Sequence, residues 1–171
     1  MAYQCGFVIR LFQTPEEKRC DFAISEDASR KVAELFTKGS FPAESRQMGE
    51  YLLNGLLSQL RTYPIGLRID QWLMRDYPDL RTLQERGIQT QLEQNSQAIG
   101  PGLGKMFPPL LYGSNQSMNA AFALFWGRTW GNMTITLPYK ATGFFKKVEA
   151  LIKIFDQIPP EPIEDRRLVD E

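Results

Sequence analysis

The stretch from Met118 to Trp130 is apolar on nearly every side of a helix: Met118, Ala121, Phe122, Leu124, Phe125 and Trp126 leave it no polar face. Such a helix belongs in the centre of a fold, wrapped by other elements. It cannot be a membrane span, because its longest unbroken apolar run, Ala120 to Trp126, is far too short to cross a bilayer. Ser117 is placed to cap it. The residues before it, with Gly100-Pro101-Gly102-Leu103-Gly104, Pro108-Pro109 and Gly113-Ser114-Asn115, read as breaker and loop. The rest of the chain must supply the cover.

The pattern at the N-terminus predicts strands. Phe7, Ile9 and Leu11 alternate onto one face, as do Cys20, Phe22 and Ile24, and Gln13 to Lys18 makes a polar turn between them. A hairpin with one apolar face needs a helix over it, and Ala28, Val32, Leu35 and Phe36 repeat at helical spacing up to Gly39. A second helix is expected from about Glu44 to Arg61, stopped by Tyr63-Pro64. A short helix with Ile69, Trp72 and Leu73 follows. Pro78 opens another, with Leu80, Leu83, Ile88, Leu92 and Ile99 inward. Asn132 to Leu137 suggests a short strand, and Phe144 to Asp156 a last helix with Phe145, Val148, Leu151, Ile152 and Phe155 inward. The expected class is α+β: an N-terminal β-hairpin or small sheet packed on a mainly helical bundle. Residues 1–157 form a single domain, and 158–171 a proline-rich, then charged tail in which Glu164 to Glu171 could start a further helix.

The chain contains no histidine. That removes Ser-His-Asp and Cys-His catalysis, imidazole zinc sites and His-ligated haem. No cofactor and no metal are expected. Lys plus Arg and Asp plus Glu are both 20, so there is no basic excess of the kind that nucleic-acid or anionic-membrane binding usually needs. Cys5 and Cys20 would lie out of register in the hairpin, too far apart for a disulfide, and read as free, half-buried thiols. The N-terminal MAYQCGFVIRLFQ lacks the pattern of a signal peptide, so a cytoplasmic protein is expected.

Few segments suggest chemistry. Gly100 to Lys105 lacks the leading glycine and the Ser or Thr of a phosphate loop, and reads as a helix terminator. Glu50, Asp70 and Asp76 are candidate acid–base carboxylates, set against the plainer reading of solvated helix faces with Arg68, Arg75 and Arg81 as partners. Trp130 and Tyr139, at element ends, are the aromatics expected to reach a partner surface.

Arg46-Gln47-Met48-Gly49-Glu50, followed by Tyr51-Leu52-Leu53, has the frame of the H-E-x-x-H zinc-peptidase motif with Met-Gly in its middle. Residues 5–75 thereby resemble a small gluzincin-type zinc metallopeptidase with its metal site erased. Arg46 and Glu50 stand at the two histidine positions, Gln47 stands at the general base, and Asp70 sits where the resemblance implies an acidic ligand. Every functional position departs from the family pattern, so the resemblance implies a degenerate cleft at Arg46, Gln47, Glu50 and Asp70, without zinc or peptidase activity. Arg46 would repel a cation and could pair with Glu50 one turn on. The expected function is a non-catalytic binding or regulatory protein acting through protein contacts with a protein or peptide. The alternatives are an enzyme using carboxylates and a helical subunit of a larger assembly.

Overall fold

A backbone buried away from water must pair its N–H and C=O groups, and here most of the described chain does so as helix. The computed structural model describes all residues except 20–24, 40–48, 98, 100–101, 141–142, 144 and 171, and at Ala28, Gly49, Glu50, Leu52, Leu103 and Lys146 it describes the backbone alone. In chain order the helices are α1 (Ala2–Gln13), α2 (Glu26–Lys38), α3 (Gly49–Asp76), α4 (Arg81–Gln97), α5 (Leu103–Met106), α6 (Pro109–Thr129), α7 (Leu137–Lys140), α8 (Phe145–Gln157) and α9 (Asp165–Asp170). Single 3-10 turns lie at Glu16–Lys18, Pro78–Leu80, Met133–Thr136 and Pro162–Glu164.

There is no strand among the described residues, so the fold is all-α and the α+β expectation is corrected. The first arm of the expected hairpin is α1. Its apolar residues satisfy both periods: Phe7, Ile9 and Leu11 alternate, but Tyr3, Gly6, Phe7 and Arg10 also share a helix face. A short apolar run does not distinguish the two by periodicity alone. The second arm, residues 20–24, lies outside the described residues. The expected strand at Asn132 to Leu137 is a 3-10 turn running into α7, with the Asn132 side chain accepting from the Thr134 amide.

Helix α6 is the centre that its sequence demands. Ala120, Ala123 and Trp126 are wholly buried, and Phe125 packs edge-on against both Trp126 and Phe155. The helix starts earlier than expected, at Pro109, where a missing N–H costs nothing in the first turn. Ser117 is therefore inside the helix rather than at its cap, and its hydroxyl bonds back to the Gly113 carbonyl at 2.8 Å. Val148, Ile152 and Phe155 of α8 close one side of α6, while Leu151, expected inward, is 42% exposed.

Helix α3 is the spine. It runs through Pro64, although the Tyr63-Pro64 pair was expected to end it. An interior proline costs on the order of 3 kcal/mol. Burial returns more, at roughly 1.5–3 kcal/mol for each fully buried aliphatic side chain, and Ile65, Leu67, Ile69 and Leu73 are all buried beyond the proline. Leu67 joins the α6–α8 core. Leu56 joins Phe36, Leu111 and Met118, and Ile65, Ile69 and Leu73 receive Tyr3 and Phe7 of α1. In α4, Ile88 is buried but Leu83, expected inward, is 67% exposed. The tail folds back onto the body: Asp165 and Leu168 of α9 are buried.

Candidate functional site

The α1–α3 crossing places the buried carboxylate Asp70 beside the packed face of α1. The closeness of the crossing comes from glycine. A Cβ on Gly6 would lie 2.5 Å from Cγ2 of Ile69, and one on Gly66 would collide with the Tyr3 hydroxyl. Next to this contact lies Asp70, only 7% exposed. Its carboxylate accepts from Gln84 Nε2 at 2.7 Å, and the same nitrogen donates to the Asp70 carbonyl at 3.0 Å. Burial pushes the Asp70 carboxyl up to about 6, with the Gln84 hydrogen bond opposing the shift. Tyr3 is pushed up in turn, first by burial and then by the charge of Asp70. The expectation of a solvated Asp70 is thus corrected, whereas Asp76 does lie exposed beside Arg75 at 2.6 Å.

The four residues of the degenerate zincin frame are not assembled by anything described. Arg46 and Gln47 lie outside the described residues, as does the side chain of Glu50. Glu50 and Asp70 are on one continuous helix, about twenty residues apart. At 1.5 Å per residue that is about 30 Å along the axis, so the structure does not bring these two positions together. Of the expected aromatic surface, Trp130 is half-buried, its ring centre 5.2 Å from that of Trp126 and tilted by 34° to it. Tyr139 is 1% exposed and belongs to the core, which corrects its placement at a partner surface. Cys5, expected half-buried, is an exposed free thiol on α1.

Two features were missed. The first is a cavity of about 580 Å³ between α1, α3 and the Pro160–Pro162 segment, with Arg10, Arg68 and Arg75 in its wall. Arg68, Gln71 and Arg75 follow at helical spacing (three, then four residues apart), a signal available in the sequence, where the two arginines are read only as carboxylate partners. The Arg68 guanidinium lies 3.8 Å from the centre of the Phe155 ring and donates from Nη2 to the carbonyls of Phe155 at 2.5 Å and Ile158 at 2.7 Å. Burial, then the charge of Arg10, hold it below its ordinary pKa. Arg10 itself grips Asp165 through Nε at 2.8 Å and Nη2 at 2.5 Å, and reaches the Pro160 carbonyl at 2.9 Å.

The second missed feature is the outer face of α1. Met1, Cys5, Val8 and Phe12 follow one another along the helix at four, three and four residues, all exposed, with Phe12 77% and Val8 52% open to solvent. The only charged side chain of α1, Arg10, is turned inward onto Asp165. A second cavity, about 290 Å³ and mostly apolar, lies between α3, α6, α8 and α9.

Among the described residues no group of three or more Cys, Asp or Glu side chains could hold a metal ion. No helix there is long and apolar enough to cross a membrane. No protein-family model, no curated protein and no solved structure matches this chain.

Proposed function

We propose that this chain is a binding module that acts through protein contacts, and that its docking surface is the outer face of α1. The observation that carries this reading is the exposed Met1–Cys5–Val8–Phe12 stripe, which holds apolar area in water on a helix whose opposite face is already packed on α3. Depletion of charge together with aromatic and Met side chains marks the centre of a protein interface. A helix that lies on a lipid surface is instead rich in Lys and Arg on its polar face, and the single arginine of α1 is engaged by Asp165. The occupant this face fits is therefore an apolar helix face of a partner protein, matched over about three turns.

The experiment compares wild type with Val8→Glu and Phe12→Glu in affinity capture, in a Cys20→Ser background so that Cys5 is the one thiol. Both sites are exposed, so the helical circular dichroism of each variant should equal that of wild type. A protein held by wild type and lost from both variants, which also shields Cys5 from iodoacetamide, is the expected result. Equal capture by all three, or full Cys5 reactivity in the complex, would overturn the reading.

Asp70 supports a second reading, acid–base catalysis by a carboxyl with a raised pKa. It is the weaker one, because Asp70 is 7% exposed and lines neither of the two cavities described above.

A further inference from the structure

We propose that the cavity between α1, α3 and the Pro160–Pro162 segment is a binding site for a small organic anion, one with a carboxylate or phosphate head on an apolar or aromatic body. The volume, about 580 Å³, falls within the range of small-molecule sites. Three guanidinium groups face one carboxylate, Glu161, in its wall. Arg68, Gln71 and Arg75 present one donor-bearing edge of α3, and Gln13 of α1 stands in the opposite wall. This is the chemistry that binds an anion through charge-assisted hydrogen bonds.

The arginines are unequally engaged. Arg10 is committed to Asp165 and Pro160. Arg68 uses Nη2 on two carbonyls, its Nη1 has a long 3.5 Å contact to Gln71, and its buried Nε has no hydrogen-bond partner among the described residues. A buried donor without a partner carries a desolvation cost, and because this Nε has no surface open to a ligand, Arg68 acts on the cavity through its charge. Arg75 is held by Asp76 from the solvent side, and both residues are exposed enough to rearrange. The positive charge of Arg10 acts on Arg68, and an anion between the walls would relieve that repulsion. The body of the ligand is defined by the remaining wall, where the Trp72 ring joins Ile9 and Pro160 as apolar surface.

The site is distinct from the outer face of α1, and its test is separate. The full chain is titrated by calorimetry with phenyl phosphate, phenylacetate and neutral benzyl alcohol. Saturable binding of at least one anion, absent for benzyl alcohol and weakened by added salt, is expected. Preference for phenyl phosphate or for phenylacetate assigns the head group. Arg75→Gln and Gln71→Glu both alter exposed side chains and should leave the melting temperature unchanged. Each should weaken the anion by about tenfold or more, whereas Glu161→Gln should tighten it. No saturable binding of either anion would overturn the proposal. So would binding that is indifferent to all three substitutions, or that is shared equally by benzyl alcohol.

Discussion

Gly6 and Ile69 meet with no room for a methyl group between them: a Cβ on the glycine would lie 2.5 Å from Cγ2 and 3.2 Å from Cγ1 of the isoleucine. Ile69 is wholly buried and branched at Cβ, so its χ1 has one strongly preferred rotamer in the helix and little room to leave it. The α1–α3 spacing, and with it the width of the arginine-lined cavity, is set by this contact.

Gly6→Ala should therefore destabilise the protein. Helix propensity favours alanine by about 1 kcal/mol, but overpacking a closed interface costs roughly 1–3 kcal/mol, and the clash should win. Gly87 is the control: it lies on the exposed side of α4, where a Cβ would meet nothing within 4 Å. Gly87→Ala should stabilise by about 0.5–1 kcal/mol. Urea unfolding of the two variants measures both. A Gly6→Ala protein as stable as Gly87→Ala would mean that α1 does not pack on α3 this closely.

Asp70 gives the protein a pH dependence of unusual sign for a carboxylate. Its folded pKa, about 6, lies above its ordinary value of 3.8, so between those values the native state holds a proton that the unfolded chain has released. Stability from this group is complete below about pH 4, declines as pH rises to about 6, and is then lost. The shift corresponds to about 2–3 kcal/mol at 1.36 kcal/mol per unit. Asp70→Asn keeps an acceptor for Gln84 Nε2 and offers an N–H to Gln84 Oε1, a buried atom with no hydrogen-bond partner among the described residues. It should raise stability at pH 8 by about 1–2 kcal/mol and flatten the slope between pH 4 and 6. A slope unchanged in the variant would place the responsible group elsewhere.

Pro64 breaks the hydrogen-bond ladder in the interior of α3. An alanine there restores the N–H and removes the ring's clash with the preceding turn. It gives up some apolar wall in the 290 Å³ cavity that Pro64 lines. The backbone gain should exceed that loss, so Pro64→Ala is expected to stabilise by about 1–2 kcal/mol with unchanged or slightly increased helical circular dichroism. Destabilisation would show that the surrounding packing is fitted to the bend that proline imposes.

The centre of the fold was legible in the sequence because the second half of α6, from Met118 to Trp126, is apolar nearly all round, and no other placement suits Trp126 or Phe125. The helices α2 and α8 were legible by their amphipathic spacing. α1 was not, since Phe7, Ile9 and Leu11 satisfy a strand period while Tyr3, Gly6, Phe7 and Arg10 satisfy a helix period. What decides between them is the closeness of Gly6 to Ile69, a tertiary fact. The path of α3 was hidden for a related reason: a local rule about Pro64 is outweighed by burial at Ile65 and Ile69. The polar side chains escaped in another way. Arg10 and Asp165 lie at opposite ends of the chain, and neither has a neighbour in sequence that suggests the other.

That pair, 155 positions apart, is the chief charged tie between the tail and the body. Both side chains are nearly buried, 12% and 10% exposed, and the contact is bidentate. Thr14 adds a bond from its hydroxyl to the Pro162 carbonyl at 3.1 Å. A buried pair stabilises little relative to apolar residues of the same volume, but a broken one leaves a desolvated charge. Asp165→Ala should therefore cost about 3–5 kcal/mol, and the double variant Arg10→Met, Asp165→Leu should recover at least half of that loss. Equilibrium unfolding gives the cycle, and trypsin locates the damage, because Arg166 and Arg167 lie just beyond the pair. In Asp165→Ala those sites should be cut well before the body of the protein, through local opening of α9; in the double variant they should regain protection. A cost below about 1 kcal/mol, the range of an exposed ion pair, would mean that apolar contacts such as Leu168 hold the tail and that Arg10 is available to the cavity it borders.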